Sequence, residues 1–298
     1  MSAPVEKVNI FTVPGRPARS MATAQIGALL IESGHITPQD AERISQLQRD
    51  RKLRFGDAAI KLGLVSHADI EQILSRQFGF PYLIPGQSRL SGELVSAYAP
   101  FDSRIETFRA LRSHLMHKWF KLDLRLKHLA VVSPYRDEGR SYLAANLAVV
   151  FSQLGERTLL IDADMRHPRQ HTVFSLENRT GLSTLLAERT GIEVIERITP
   201  LVDLSVLPAG PIPPNPQELL SRPSFQAFLT QLESEFDVVI IDTPSSENSA
   251  DAQAIVTRAS GVLMVARRNH TPVRAVKALS NSLTGMGATV MGAVINTA

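Results

Sequence analysis

Six short aliphatic runs punctuate the chain beyond residue 127: His128–Ser133, Arg157–Asp162, Leu204–Leu207, Val238–Ile241, Val262–Val265 and Val290–Ile295. Each is four to six residues long, and most of their positions are apolar rather than alternating with polar ones. Strands of that kind are buried on both faces, and the helical stretches between them supply the covering layers. The pattern predicts an α/β domain with a mainly parallel sheet. On such a sheet ligands bind beyond the carboxyl ends of the strands, so the polar residues at those ends are where chemistry is to be sought.

The N-terminal part follows a different period. Sliding the chain by 29 residues superposes Gly27 on Gly56, Ile31 on Ile60, Gly34 on Gly63, Ile36 on Val65 and Gln48 on Gln77, an internal duplication. Each unit reads as a short apolar helix, a turn containing Gly, an N-cap and an amphipathic helix; the caps are Thr37, with Pro38 at the first helical position, and Ser66. Two helical hairpins, Gln25–Gln48 and Arg54–Gln77, are expected to form a small all-α domain. Pro81, Pro85, Gly86, Gly92 and Pro100 then interrupt regular structure and predict a linker. The expected organisation is a flexible leader at 1–20, an all-α tandem-repeat domain at 21–83, a linker at 84–103 and an α/β domain at 104–298. The last of these begins with a helix, Arg104–Phe120, on which Glu106, Arg109 and Arg112 recur every third residue and share one face.

Composition narrows the chemistry. The chain has 298 residues and no cysteine, which excludes disulfides, thiolate metal sites and cysteine nucleophiles together. Lys plus Arg exceed Asp plus Glu by 32 to 29, a net charge of +3 that does not point to nucleic acid or to an anionic membrane. The aliphatic runs are too short to cross a bilayer, and residues 1–20 lack the apolar core of a signal peptide, so a cytoplasmic location is expected.

Three strand ends carry a coherent set of polar groups. After the first, Ser133-Pro-Tyr-Arg-Asp-Glu-Gly-Arg-Ser141 has the form of a phosphate loop in which Pro134 replaces the first Gly and Arg140 the usual Lys. Its backbone amides at a helix start suit phosphate oxygens, and the Ser141 hydroxyl suits magnesium. Arg136, Asp137, Glu138, Gly139, Arg140, Ser141 and Tyr142 are the candidate nucleotide contacts, and Asn296 at the last strand end is a candidate adenine reader. After the second strand come Asp162, Asp164 and Arg166, and after a later one Asp242-Thr-Pro244. Carboxylates gathered at one sheet edge repel each other, and a magnesium ion resolves the repulsion. ATP with Mg²⁺ is the expected ligand pair.

Those residues resemble the bacterial tyrosine kinases, relatives of the Min and Par ATPases that act in capsule and exopolysaccharide assembly. The resemblance rests on Glu138-Gly-Arg-Ser141, on Asp162-Ala-Asp164 with Arg166 and Pro168, on Ile241-Asp-Thr-Pro244, and on the segment Leu207–Leu220 with its Asn-Pro-Gln-Glu-Leu-Leu. It implies a P-loop fold in which Arg140 contacts the β- and γ-phosphates and Asp162 accepts the tyrosine proton, with Ser141, Asp164 and Asp242 around the metal. Glu106, Arg109 and Arg112 match that family's Glu-x-x-Arg-x-x-Arg motif, which implies assembly into a homo-oligomeric ring. A membrane-anchored polysaccharide chain-length protein is the implied partner and the implied route to the membrane.

The repeat has its own resemblance. Each unit fits a 24-residue pattern of Arg-Leu-Gly, paired aliphatics about a Gly, and a terminal Gln, with five residues between units. It is similar to the N-terminal domain of type II secretion and pilus assembly ATPases, which binds cyclic di-GMP. This implies Gln25, Gly27, Gln48, Arg54, Gly56 and Gln77 as ligand contacts, with Gln25 standing where the pattern has Arg and Ser45 where it has Leu. All four tyrosines, Tyr82, Tyr98, Tyr135 and Tyr142, precede Asp162, so the family's C-terminal tyrosine cluster has no counterpart. Three functions stay open at this point: a kinase acting on another protein or an internal tyrosine, a nucleotide-dependent scaffold, and a partitioning ATPase. The last is disfavoured by Tyr135, which stands where that group has a signature Lys.

Overall fold

The structure is a computed structural model and describes residues 26–67, 69–70, 73–74, 82–99, 102–119, 128–247 and 250–297. The chain divides into two compact units, Met1–Ile84 and Pro85–Ala298.

In the first unit, α1 (Ile26–Glu32), α2 (Pro38–Arg51) and α3 (Phe55–Lys61) follow the repeat. Both units turn at a glycine in the left-handed region, Gly34 at φ 73° and Gly63 at φ 68°, a conformation that disfavours any side chain. Both also close a reciprocal cap. Thr37 Oγ1 accepts from the Asp40 amide while the Asp40 carboxylate accepts from the Thr37 amide, and Ser66 and Asp69 repeat the exchange 29 residues later. The core repeats too, since Leu30, Ile36 and Ile44 are buried beside their counterparts Ala59, Val65 and Ile73.

The second unit is built on a seven-stranded sheet of β1 (His128–Val132), β2 (Thr158–Asp162), β3 (Glu196–Arg197), β4 (Leu204–Leu207), β5 (Val238–Asp242), β6 (Gly261–Arg267) and β7 (Val290–Asn296), in the order β3-β4-β2-β5-β1-β6-β7. All pairings are parallel except that of β3 with β4. Strands β1, β2, β4 and β5 are buried at every position, as unbroken aliphatic runs require. The two-residue edge strand β3 is exposed and polar, which is why no aliphatic run announces it. Helix α4 (Ser103–Trp119) packs on α5 (Arg140–Ser152), the helix that follows the phosphate loop. No helix among the described residues is long and apolar enough to cross a membrane.

The expected linker is corrected by the structure. Leu94, Ser96 and Ala97 are fully buried, and Val95–Tyr98 is helical. Asn146, buried on α5, accepts from the Ser96 amide at 2.9 Å and donates to the Glu93 carbonyl, while Gln153 donates to the Ser96 carbonyl. The Ser91 amide donates to the Val173 carbonyl at 2.9 Å, Ser175 Oγ donates to the Arg89 carbonyl, and Arg169 pairs with Glu93 at 2.6 Å. Prolines and glycines do end regular structure here, but residues 89–99 form a strap within the second unit, with the Arg89, Glu93 and Ser96 backbone groups paired by side chains of later elements.

Candidate functional site

The three motif strands are neighbours. In the order β2-β5-β1, Asp162 and Asp242 stand opposite each other in register at the ends of β2 and β5, and Val131, two residues before the phosphate loop, pairs with Asp242. Crossover topology thus brings together groups 80 residues apart in sequence (242 − 162 = 80).

The loop closes on itself through its own side chains. Gly139 at φ 93° starts α5 and has no room for a Cβ, which would lie 2.3 Å from Asn296 Nδ2; that same amide donates to the Glu138 carbonyl at 3.1 Å. Glu138 is fully buried and accepts from the Tyr135 amide at 2.9 Å and from the Thr271 hydroxyl, so its side chain shapes the loop. Asp137 takes a left-handed φ of 58°. The Arg140 guanidinium is buried: Nε donates to the Thr243 carbonyl at 2.9 Å, and Nη1 donates to the Tyr135 carbonyl at 2.7 Å and to Ser133 Oγ. The cation expected on the phosphates is engaged by the loop and by the Thr243 carbonyl beyond β5. A compact Lys ammonium has fewer donors and no rigid fork with which to hold so many acceptors. Arg136 lies at the surface beside His167, 3.1 Å from its Nε2.

The acidic strand ends are arranged differently. Asp162 has no exposed surface; Oδ1 accepts from the Asp164 amide at 3.2 Å, and Oδ2 from the amides of Arg169 and Gln170 at 2.9 and 2.8 Å. Burial, reinforced by the Asp242 carboxylate, pushes its pKa well above the ordinary carboxylate value. Burial likewise lifts Asp242 to about 6, with Gln170, the Arg140 charge and Ser141 pulling the other way. Asp164 is buried and caps the following turn, accepting from the amides of Arg166 and His167. Arg166 turns to the buried Asp251, with Nε 2.6 Å from Oδ2, and so anchors this turn to the helix Asp251–Val256.

Gln170, which no local pattern singles out, completes the set. It is fully buried; its Nε2 donates to Asp242 Oδ2 at 2.7 Å and to the Ser141 carbonyl at 3.1 Å, while its amide serves Asp162. Its side-chain partners lie 72 and 29 residues away, so only the tertiary fold reveals the role.

The donor set fits magnesium. Asp242 Oδ1 is buried without a hydrogen-bond partner, beside a second buried carboxylate and the first turn of α5, which carries Ser141. No group of three or more His, Asp or Glu side chains among the described residues is placed to hold a metal. A hard cation such as magnesium takes one or two carboxylates together with a hydroxyl, phosphate oxygens and water, and Asp242, Asp162 and Ser141 are of those types. Next to Gly139 and Asn296 a cleft of about 410 Å³ is lined by Arg104, Phe108, Tyr142, Val265 and Ile295, with the Phe108 and Tyr142 rings edge to face at 6.0 Å.

The other expected residues are more dispersed. Glu106 and Arg109 form an ion pair at the surface of α4, whereas Arg112 reaches the Val150 carbonyl near the end of α5, a favourable place for a cation. In the first unit the glycines serve packing, since a Cβ on Gly27 would lie 3.0 Å from the Phe55 ring and one on Gly56 3.2 Å from Ile70. Arg54 is exposed at the start of α3, Gln48 is half-buried on α2, and Gln25 and Gln77 lie outside the described residues.

Comparison with known proteins agrees with this geometry. Residues 138–290 match the model of the AAA domain family. CapB of Staphylococcus aureus is 38% identical over 200 residues, covering 66% of this chain and 86% of CapB. The tyrosine-protein kinase YwqD of Bacillus subtilis is 34% identical over 209 residues, covering 70% of this chain and 87% of YwqD. The kinase domain of the Escherichia coli tyrosine kinase ETK superposes with a TM-score of 0.66 at 29% identity, covering 70% of this chain and 81% of that structure. With its phosphate loop and two acidic strand ends on adjacent parallel strands, the chain belongs to the bacterial tyrosine-protein kinase family.

Proposed function

We propose that the second unit binds ATP with magnesium and transfers the γ-phosphate to a protein tyrosine, in an assembly that controls the length or export of an exopolysaccharide. The observation that carries this reading is the in-register pair Asp162 and Asp242 beside the phosphate loop. The amides at the start of α5 hold phosphate oxygens, the cleft beside Asn296 takes the nucleoside, and Ser141, Asp242 and Asp164 hold the metal. Bound magnesium neutralises charge that develops on the phosphate oxygens. Asp162, its pKa raised by burial, accepts the tyrosine proton as the tyrosine oxygen bonds to the γ-phosphorus and the bond to the bridging oxygen breaks, leaving ADP.

Arg140 supports a second reading. Its guanidinium must exchange three acceptors of the chain for phosphate oxygens before it acts in transfer, and a loop that keeps them is suited to a nucleotide-responsive scaffold that transfers nothing. Mass spectrometry after incubation with magnesium ATP and the membrane-anchored chain-length protein decides between them. The kinase reading expects phosphotyrosine that is lost with Asp162→Asn. No phosphotyrosine on either protein, with ATP affinity retained, leaves the scaffold.

Two regulatory elements belong to the same proposal. Ring assembly through α4 rests on the outward Glu106 and Arg109, and cyclic di-GMP as an effector of the first unit rests on the repeat pattern alone. Calorimetry of the full chain with cyclic di-GMP tests the latter, and no heat at high micromolar ligand rejects it.

A further inference from the structure

We infer that Gln170 is a positioning residue for magnesium, holding Asp242 so that one of its oxygens is left available to the ion. This rests on the reading of the site as a magnesium–nucleotide site, and goes beyond it in assigning the work to an uncharged side chain outside every recognised motif.

The orientation of the carboxamide is fixed by its neighbours. Both groups within reach of Nε2, the Ser141 carbonyl and Asp242 Oδ2, are acceptors, so the NH₂ must face them. That leaves Gln170 Oε1 buried without a partner, and across the shared contact Asp242 Oδ1 is also buried without one. A buried carboxylate oxygen and a buried carboxamide oxygen, each without a hydrogen-bond partner, are costly unless a cation or its water shell meets them. The same residue's amide donates to Asp162 Oδ2, so Gln170 ties together the ends of β2 and β5 and the first turn of α5, the three elements that must keep their spacing around the metal. A carboxylate with one oxygen pinned and the other free is pre-aimed for single-oxygen coordination, and partners that orient a ligand in this way typically change metal affinity by about 10- to 100-fold when removed.

The residue's setting suits this role. Gln170 opens the short helix Gln170–Val173, held from outside by the strap through Arg169 to Glu93 and by the Ser91 amide on the Val173 carbonyl. The carboxamide therefore approaches Asp242 from an element fixed at both ends.

The test measures affinity of the full chain for a fluorescent ADP analogue, without magnesium and across a magnesium titration, in wild type, Gln170→Leu and Gln170→Glu. Leu removes the donor and keeps an apolar body; Glu keeps the shape and places a carboxylate against Asp242. Both variants are expected to keep magnesium-free ADP affinity within about threefold of wild type while the magnesium concentration for half-maximal enhancement rises by about tenfold or more. Equal magnesium dependence in all three proteins overturns the inference and leaves the nucleotide reading intact. A parallel loss of magnesium-free affinity in both variants also overturns it, because the residue is then only structural. Wild type that binds no nucleotide with or without magnesium sinks the underlying reading. Should Gln170→Leu fail to fold, the isosteric Gln170→Glu carries the comparison.

Discussion

In the phosphate loop the buried polar groups are matched by the loop and its flanking strand ends: Arg140 donates to Thr243, Tyr135 and Ser133, and Glu138 accepts from Tyr135 and Thr271. On the next two strands Asp162 and Asp242 stand in register, both lifted in pKa by burial, and Asp242 keeps an oxygen with no partner. The loop's polar groups thus have protein partners and one oxygen of the acidic edge has none. Binding energy from a nucleotide must be spent in part on prising Arg140 from the loop, whereas a cation at the acidic edge relieves repulsion already present. The difference teaches that the two halves of the site should respond to substitution in opposite directions.

The largest expected effect is on transfer. Asp162→Asn removes the proton acceptor, and phosphotyrosine formation should fall by about 100-fold or more while ATP affinity stays within a few-fold, as measured by quantitative mass spectrometry beside calorimetry. Next comes the stability of the acidic edge. Asp242 titrates near 6 in the fold against 3.8 as a free group, so between those values the folded chain holds a proton that the unfolded chain has released. Stability from this group is therefore present at low pH and lost as pH rises through about 6. Asp242→Asn should raise unfolding free energy by on the order of 2–3 kcal/mol in metal-free buffer at pH 8, by roughly half as much at pH 5, inside the window, and by little below the unfolded value; denaturant titrations across this range check this. A variant that is less stable than wild type at pH 8 breaks the contrast.

The loop should behave in the reverse sense. Arg140→Ala leaves the carbonyls of Thr243 and Tyr135 without their donor and should cost about 1–3 kcal/mol of stability. Arg140→Lys gives up the fork but frees a compact cation, so it should lose part of that stability and gain ATP affinity. Binding weaker than wild type shows that Arg140 already serves the phosphates. The smallest effect belongs to the strap, where Glu93→Gln breaks an ion pair whose partners are about half exposed, with side chains 42% and 50% accessible. Unfolding free energy should fall by less than about 1 kcal/mol, and the loss should shrink in high salt.

Much of this fold was legible. Aliphatic runs locate every parallel strand to within two residues, because a strand covered on both faces must be apolar throughout, and the 29-residue offset finds both caps and both left-handed glycines of the repeat. What stayed hidden depends on distance. The strap is not legible in the sequence because prolines and glycines report only that regular structure stops, not what Asn146 and Gln153 do for the backbone between them. Arg112 shares a helical face with Glu106 and Arg109, yet it turns to Val150 on another helix. Motif residues such as Asp162 and Asp242 were found as types at strand ends, but their register, and Gln170 between them, exist only once β2 and β5 are neighbours.

Calorimetric titration of the wild-type chain with ATP, with and without magnesium, tests most directly that the loop and the acidic edge form one site. The account predicts that magnesium tightens ATP binding by about tenfold or more, and that Asp242→Asn removes most of that gain. Equal ATP affinity with and without magnesium in the wild-type chain would contradict it.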